Sequence, residues 1–137
     1  MARVILALFL GLSAQAVFAE TLINVNNATL AELKAQGVQI IDIRTPREWR
    51  ETGVIEGSHL VTFFDEQGRY DFPAWLATLN QIVDPNEPFV LICRTGSRTG
   101  LVGRALAEQL NRPGVHHARD GIRQWMRAGY PVTAPAR

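Results

Sequence analysis

The chain has 137 residues, 47% of them apolar, with 14 basic against 13 acidic side chains and one cysteine. That length suits one compact domain, and the near-neutral balance argues against a nucleic-acid footprint or a polybasic membrane surface. A lone cysteine excludes an internal disulfide.

The N-terminal stretch MARVILALFLGLSAQAVFA, residues 1–19, has one basic residue (Arg3), an uncharged apolar run Val4–Leu12, and small residues from Ser13 to Ala19. That is the layout of a secretory signal peptide. The run is shorter than the roughly 20 residues that span a hydrocarbon core; the alternative is an uncleaved anchor over Val4–Phe18. The small residues predict cleavage after Ala19, with Ala16 as the other option, an exported, periplasmic protein, a domain over residues 20–137, and no stable membrane insertion after cleavage. Losing Arg3 leaves equal numbers of basic and acidic residues. In an oxidising compartment a free thiol is exposed to mispairing, which favours a chemical role for Cys93.

Downstream, TLINV (21–25) reads as a weak strand. A helix follows, opened by a capping box of Thr29 and Glu32 and closed at Gly37. VQIIDIR (38–44) is a β-branched run of the kind buried on both faces. Thr45 then serves as N-cap, Pro46 as first helical residue, Glu48 as partner in the box and Gly53 as stop. HLVTF (59–63) is a short strand. Phe72, Trp75, Leu76 and Leu79 recur at helical spacing. After the turn at 84–88, FVLIC (89–93) is the most hydrophobic strand. Leu101, Val102, Ala105, Leu106 and Leu110 mark an amphipathic helix from Thr99 onward, VHHA (115–118) a strand, and GIRQWMRAG a last helix with Ile122, Trp125 and Met126 inward. Strands alternating with helices predict one α/β domain, a mainly parallel sheet with helices on both faces. Ligands of such sheets bind beyond the carboxyl ends of the strands, where Cys93 lies.

The loop CRTGSR joins that strand to a helix, so its amides can converge on one point and favour an anion. Gly96 allows a conformation other residues resist, and Ser97 or Thr99 can cap the helix. A field of this kind favours the nucleophilic thiolate over the thiol. Arg94 and Arg98 add fixed charge for an anionic substrate. His116 and His117 are adjacent on a strand and point to opposite faces. His59 is isolated, and no spacing of ligands completes a zinc site.

The loop resembles the active-site loop of the rhodanese-like sulfurtransferases, where a cysteine, an arginine, a small residue, a glycine, a small residue and an arginine recur. IDIRTPREWRETGVIEGSHLV (41–61) is similar to that family's upstream signature, and DGIRQWMRAGYPV (120–132) to its closing one. The likeness runs from about residue 21 to 132; small size and the signal peptide resemble the single-domain periplasmic type. Two positions depart from the pattern: Val54 stands where the family usually has His, and Asp120 where it often has Gly.

The resemblance implies a single rhodanese-like domain that needs no metal or organic cofactor. It implies that Cys93 takes sulfur from a small anionic donor such as thiosulfate and passes it to a thiol or cyanide acceptor through a persulfide. The main chain of Arg94, Thr95, Gly96, Ser97 and Arg98 would cradle the transferred sulfur, both arginines would bind the donor, and Asp42 and Arg44 would brace the loop and pair with Glu48. A protein acceptor is open. The alternatives are a persulfide carrier or regulatory binding module and, on a related fold, a cysteine phosphatase. The phosphatase loop has five residues between Cys and Arg, a position held here by Thr99; Cys93 and Arg98 are separated by four, and the loop carries no general-acid carboxylate.

Overall fold

The period-two alternation of the middle strands is what divides this protein's core into two layers. The computed structural model describes residues 18–136; the expected signal peptide and its Ala16 cleavage site lie outside the described residues, apart from Phe18 and Ala19. Strands β1 (Ile23–Val25), β2 (Gln39–Asp42), β3 (His59–Leu60), β4 (Phe89–Ile92) and β5 (Val115–Ala118) form one sheet. Its order is β1-β5-β4-β2-β3 and every pairing is parallel. The helices are α1 (Asn27–Ala35), α2 (Pro46–Thr52), α3 (Phe72–Ile82), α4 (Ser97–Arg104) and α5 (Gly121–Arg127), and α4 runs into a π-helical turn, Ala105–Gln109. This is the α/β architecture that the alternation of elements predicts.

Phe89, Leu91 and Cys93 point to one side of the sheet with Ile41 and Ile43, and pack against Trp75 and Leu79 of α3 and Val102 and Leu106. Val90 and Ile92 point the other way with Ile40, against Leu30 of α1 and Ile122 and Trp125 of α5. Each such apolar side chain withdrawn from water contributes about 1.5–3 kcal/mol. β4 is therefore apolar at every position because both of its faces are covered.

Local signals decide the helix ends. At α2 the capping box is complete: Thr45 Oγ1 accepts the Glu48 N–H, Glu48 accepts the Thr45 N–H, and Pro46 opens the helix. At α1 the expected box of Thr29 and Glu32 gives way to Asn26, whose side chain accepts the Thr29 N–H at 2.9 Å. Asparagine is at least as good an N-cap, and capping from Asn26 places Thr29 inside the first turn. α4 begins two residues earlier than expected, and neither Ser97 nor Thr99 caps it, because the N-cap is Gly96. Leu101 and Leu110, expected inward, are 59% and 48% exposed. Leu110 follows the π turn, which rotates it off the apolar stripe.

The two departures from the family pattern have structural counterparts. Val54 is buried, and its backbone forms an antiparallel bridge with Thr133, tying down the C-terminal segment. Asp120 adopts a right-handed helical conformation that asks for no glycine. Gly121 has φ +71° and does require one, since a Cβ there would collide with the Arg94 carbonyl.

Candidate active site

β4 is the central strand, so the loop leaving its carboxyl end is flanked by structure on both sides. Cys93 is the first residue of that loop and is fully buried. Its Sγ accepts the Gly96 N–H at 3.1 Å and lies 3.5 Å from Thr99 Oγ1. The turn that brings Gly96 back over the sulfur depends on φ +93°, and a Cβ at Gly96 would overlap the Arg119 carbonyl oxygen. The first loop carbonyls face away from the sulfur. Ile122 N–H donates to Cys93 O at 2.9 Å and Arg123 N–H to Arg94 O at 3.1 Å, so the start of α5 fixes the loop from behind.

Arg98 is held in place from α2. Its Nη1 and Nη2 donate to Glu48 Oε2 and Oε1 at 2.8 and 2.7 Å. Glu48 thereby completes a cap on its own helix and ties α2 to the Cys93 loop. The Arg98 hydrogen bonds hold the Glu48 carboxyl down at about 2, helped by the Thr45 N–H and against the cost of burial. The same bonds raise Arg98 above its ordinary value, with the fields of Cys93 and Asp42 acting in the same direction.

Asp42 and Arg44 do not pair with Glu48 as expected; they pair with each other. Arg44 Nη2 and Nε donate to Asp42 at 2.7 and 3.0 Å, and its remaining donors reach Thr52 Oγ1 and Gly53 O. Both side chains are fully buried, where a charge needs a partner. The sequence places Asp42 two residues before Arg44 across the end of β2, and that proximity outcompetes Glu48. The pair therefore braces the β2–α2 corner, while support of the Cys93 loop falls to Glu48.

Arg94, Thr95 and Ser97 are exposed at the loop surface, with Thr95 Oγ1 and Ser97 Oγ 3.3 Å apart. Two shallow clefts flank them. One, about 490 Å³, is lined by Thr95, Asp120, Arg123, Gln124 and Arg127. The other, about 540 Å³, includes Gly96, Ser97, Gly100, Arg104, His117 and Arg119. Among the described residues, Arg94, Arg104, Arg123 and Arg127 have no carboxylate within ion-pair distance. The surface around the loop is thus suited to an anion. No group of three or more His, Cys, Asp or Glu side chains among the described residues could hold a metal ion.

A polar chain missed by sequence reasoning leads away from the sulfur, buried at Thr99 and His117 and ending at the exposed Asn24. Thr99 Oγ1 lies 3.0 Å from His117 Nδ1, and His117 Nε2 lies 2.7 Å from Asn24 Oδ1. The sheet register explains the alignment: Leu91 pairs with His117 and His117 with Asn24, so all three share the face to which Cys93 points. Burial, then Arg104 and Arg119, push His117 below its ordinary value. His116 faces the other way, its Nδ1 2.9 Å from Gly114 O.

The model of the rhodanese-like domain family matches residues 26–128. Among solved structures, a rhodanese-related protein from Thermoplasma volcanium is 24% identical, with 82% of this chain and 99% of that one covered and a TM-score of 0.63. A Rhodopseudomonas palustris protein of unknown function, described as a possible tyrosine phosphatase, is 29% identical over 82% and 85% of the two chains, with a TM-score of 0.61. The homodimeric polysulfide-sulfur transferase of Wolinella succinogenes is 19% identical over 85% and 81%, with a TM-score of 0.63. No curated protein matches.

Proposed function

The chain belongs to the rhodanese-like domain family, and on that premise we propose that it is an exported, single-domain sulfurtransferase acting through a persulfide on Cys93. The observation that carries this reading is the position of the thiol: it follows directly on the central strand and receives the Gly96 N–H at 3.1 Å, in a loop flanked by surface arginines that have no carboxylate within ion-pair distance among the described residues. The Cys93 thiolate attacks the outer sulfur of a thiosulfate-like donor, the S–S bond breaks, and sulfite leaves. A thiol or cyanide then attacks the terminal sulfur and regenerates the thiolate, a two-step covalent cycle. The Gly96 amide, directed at the sulfur, stabilises charge there as an oxyanion-hole donor does.

Roles divide differently between the two loop arginines than their symmetry in sequence suggests. Arg94 is exposed and, among the described residues, has no carboxylate within ion-pair distance, which supports it as the arginine that meets the donor's sulfonate. Arg98 is committed to Glu48 and fixes the loop.

The spacing of four residues between Cys93 and Arg98 argues against phosphoryl transfer, despite the description attached to the Rhodopseudomonas palustris neighbour. The burial of Cys93 favours a second reading, in which the protein carries a persulfide for a protein acceptor and turns over small donors poorly. Intact mass of the reductant-free protein, before and after thiosulfate, separates these. A gain of about 32 Da on the thiol that covalent catalysis requires, absent in Cys93→Ser and removed by cyanide, is expected. No gain from thiosulfate would overturn the small-donor enzyme and favour the carrier.

A further inference from the structure

The polar chain behind Cys93 is continuous and asymmetric, and both properties bear on how the thiol loses its proton. Asn24 Oδ1 can only accept, so the ring nitrogen facing it at 2.7 Å, Nε2, carries hydrogen. In a neutral imidazole the other nitrogen, Nδ1, is then an acceptor, and it faces Thr99 Oγ1 at 3.0 Å. Thr99 has one hydroxyl hydrogen and three acceptors in reach: His117 Nδ1, Gly96 O at 3.1 Å, and Cys93 Sγ, which is the most distant and already receives the Gly96 N–H. Gly96 O already accepts the Gly100 N–H at 2.9 Å. Nδ1 has no other donor among the described residues, and an unsatisfied buried acceptor is costly. The hydroxyl is therefore directed at His117, leaving its lone pairs for the thiol hydrogen of Cys93, 3.5 Å away.

We propose that His117 is the positioning residue and proton acceptor for Cys93, reached through the Thr99 hydroxyl, with Asn24 setting its tautomer. The S–H bond of Cys93 breaks as an O–H bond forms at Thr99. The original Thr99 O–H breaks as an N–H bond forms at Nδ1. No electrons change hands, and the product is a thiolate and an imidazolium joined by the same hydroxyl, which now donates to sulfur. This inference rests on the reading of Cys93 as a nucleophile but not on the identity of the sulfur donor.

The surrounding charges fit such a resting state. Burial, then Arg104 from α4 and Arg119 from the end of β5, hold His117 below its ordinary value. The resting ring is therefore neutral with its acceptor nitrogen free, and the imidazolium forms against those charges with the thiolate as its counter-ion. On the Cys93 side, Arg98 is paired with Glu48 of α2 and Asp42 with Arg44 at the end of β2. Among the described residues, no unpaired carboxylate competes for the proton there.

The test is the pH profile of Cys93 alkylation by iodoacetamide on the full chain, with cooperative melting confirmed for each variant. Thr99→Val and His117→Gln interrupt the path and are expected to move the half-maximal pH upward by about one unit, an alkylation rate roughly tenfold lower on the acidic side. Thr99→Ser keeps the hydroxyl and is expected to restore the wild-type midpoint. Asn24→Asp stabilises the imidazolium and is expected to move the midpoint down, a shift that loss of packing alone does not produce. Coincident midpoints in the wild type, Thr99→Val and Asn24→Asp would overturn the proposal, even if His117→Gln does not fold. Alkylation and sulfur loading are separate readouts. Shifted midpoints with no sulfur gained from thiosulfate would support the relay and remove the small-donor enzyme, whereas sulfur gain with unmoved midpoints would do the reverse.

Discussion

Replacing Glu48 by Gln removes the charge and one of the two Arg98 hydrogen bonds, since an amide nitrogen cannot accept from a guanidinium, while the amide oxygen can still accept the Thr45 N–H that completes the α2 cap. The folded carboxyl sits at about 2 against an ordinary 4.5, chiefly through its hydrogen bonds to Arg98. Full linkage over that interval corresponds to about 3 kcal/mol at neutral pH. The side chain is 21% exposed and its partner 26%, so solvent screening reduces the expected contribution to about 1.5 kcal/mol. A group depressed on folding stabilises the protein above its unfolded value and loses that contribution as pH falls through its folded value. Glu48→Gln is thus expected to be less stable than wild type by about 1.5 kcal/mol at pH 7, a Tm lower by about 6 °C for a domain of this size. The difference should shrink steadily between about pH 5 and pH 2, the window set by the cited values. Urea denaturation of both proteins at pH 7, 5, 4 and 3 measures it. A gap that stays constant with pH, or no gap at pH 7, would refute the assignment of the Arg98–Glu48 pair as the loop's electrostatic anchor.

Cys93→Ser is expected to lose sulfur loading while its Tm stays close to wild type, since the hydroxyl can still accept the Gly96 N–H; mass spectrometry and calorimetry read the two effects separately. Gly96→Ala places a Cβ on the Arg119 carbonyl at a residue with φ +93°, and should cost about 2–4 kcal/mol in chemical denaturation, from left-handed strain plus displaced backbone. An unchanged denaturation midpoint would mean the loop has room to move away from β5. Asp42→Ala strands the fully buried Arg44 guanidinium and is expected to cost about 3–5 kcal/mol. A loss below 1 kcal/mol, on the order of an exposed pair, would show that Thr52 and Gly53 suffice to hold Arg44.

The amino-acid sequence by itself determined the class of fold and the position of Cys93, because both are written in local signals. Hydrophobic runs of strand length, the cap and proline at Thr45–Pro46, and glycine stops order the strands and helices along the chain, and that order places Cys93 at a strand's carboxyl end. Tertiary structure decided which charges meet. Arg98 lies 50 residues from Glu48, and nothing in either segment selects that partner over Asp42, which is taken by an arginine two residues away. It also decided what stands behind the thiol. That His117 points opposite to His116 follows from strand geometry alone, but which of the two shares a face with Cys93 depends on the pairing of Leu91 with His117 and of His117 with Asn24. Register is fixed by the packing of two apolar faces against helices distant in the chain, so the path from Cys93 to Asn24 exists only once the sheet has assembled.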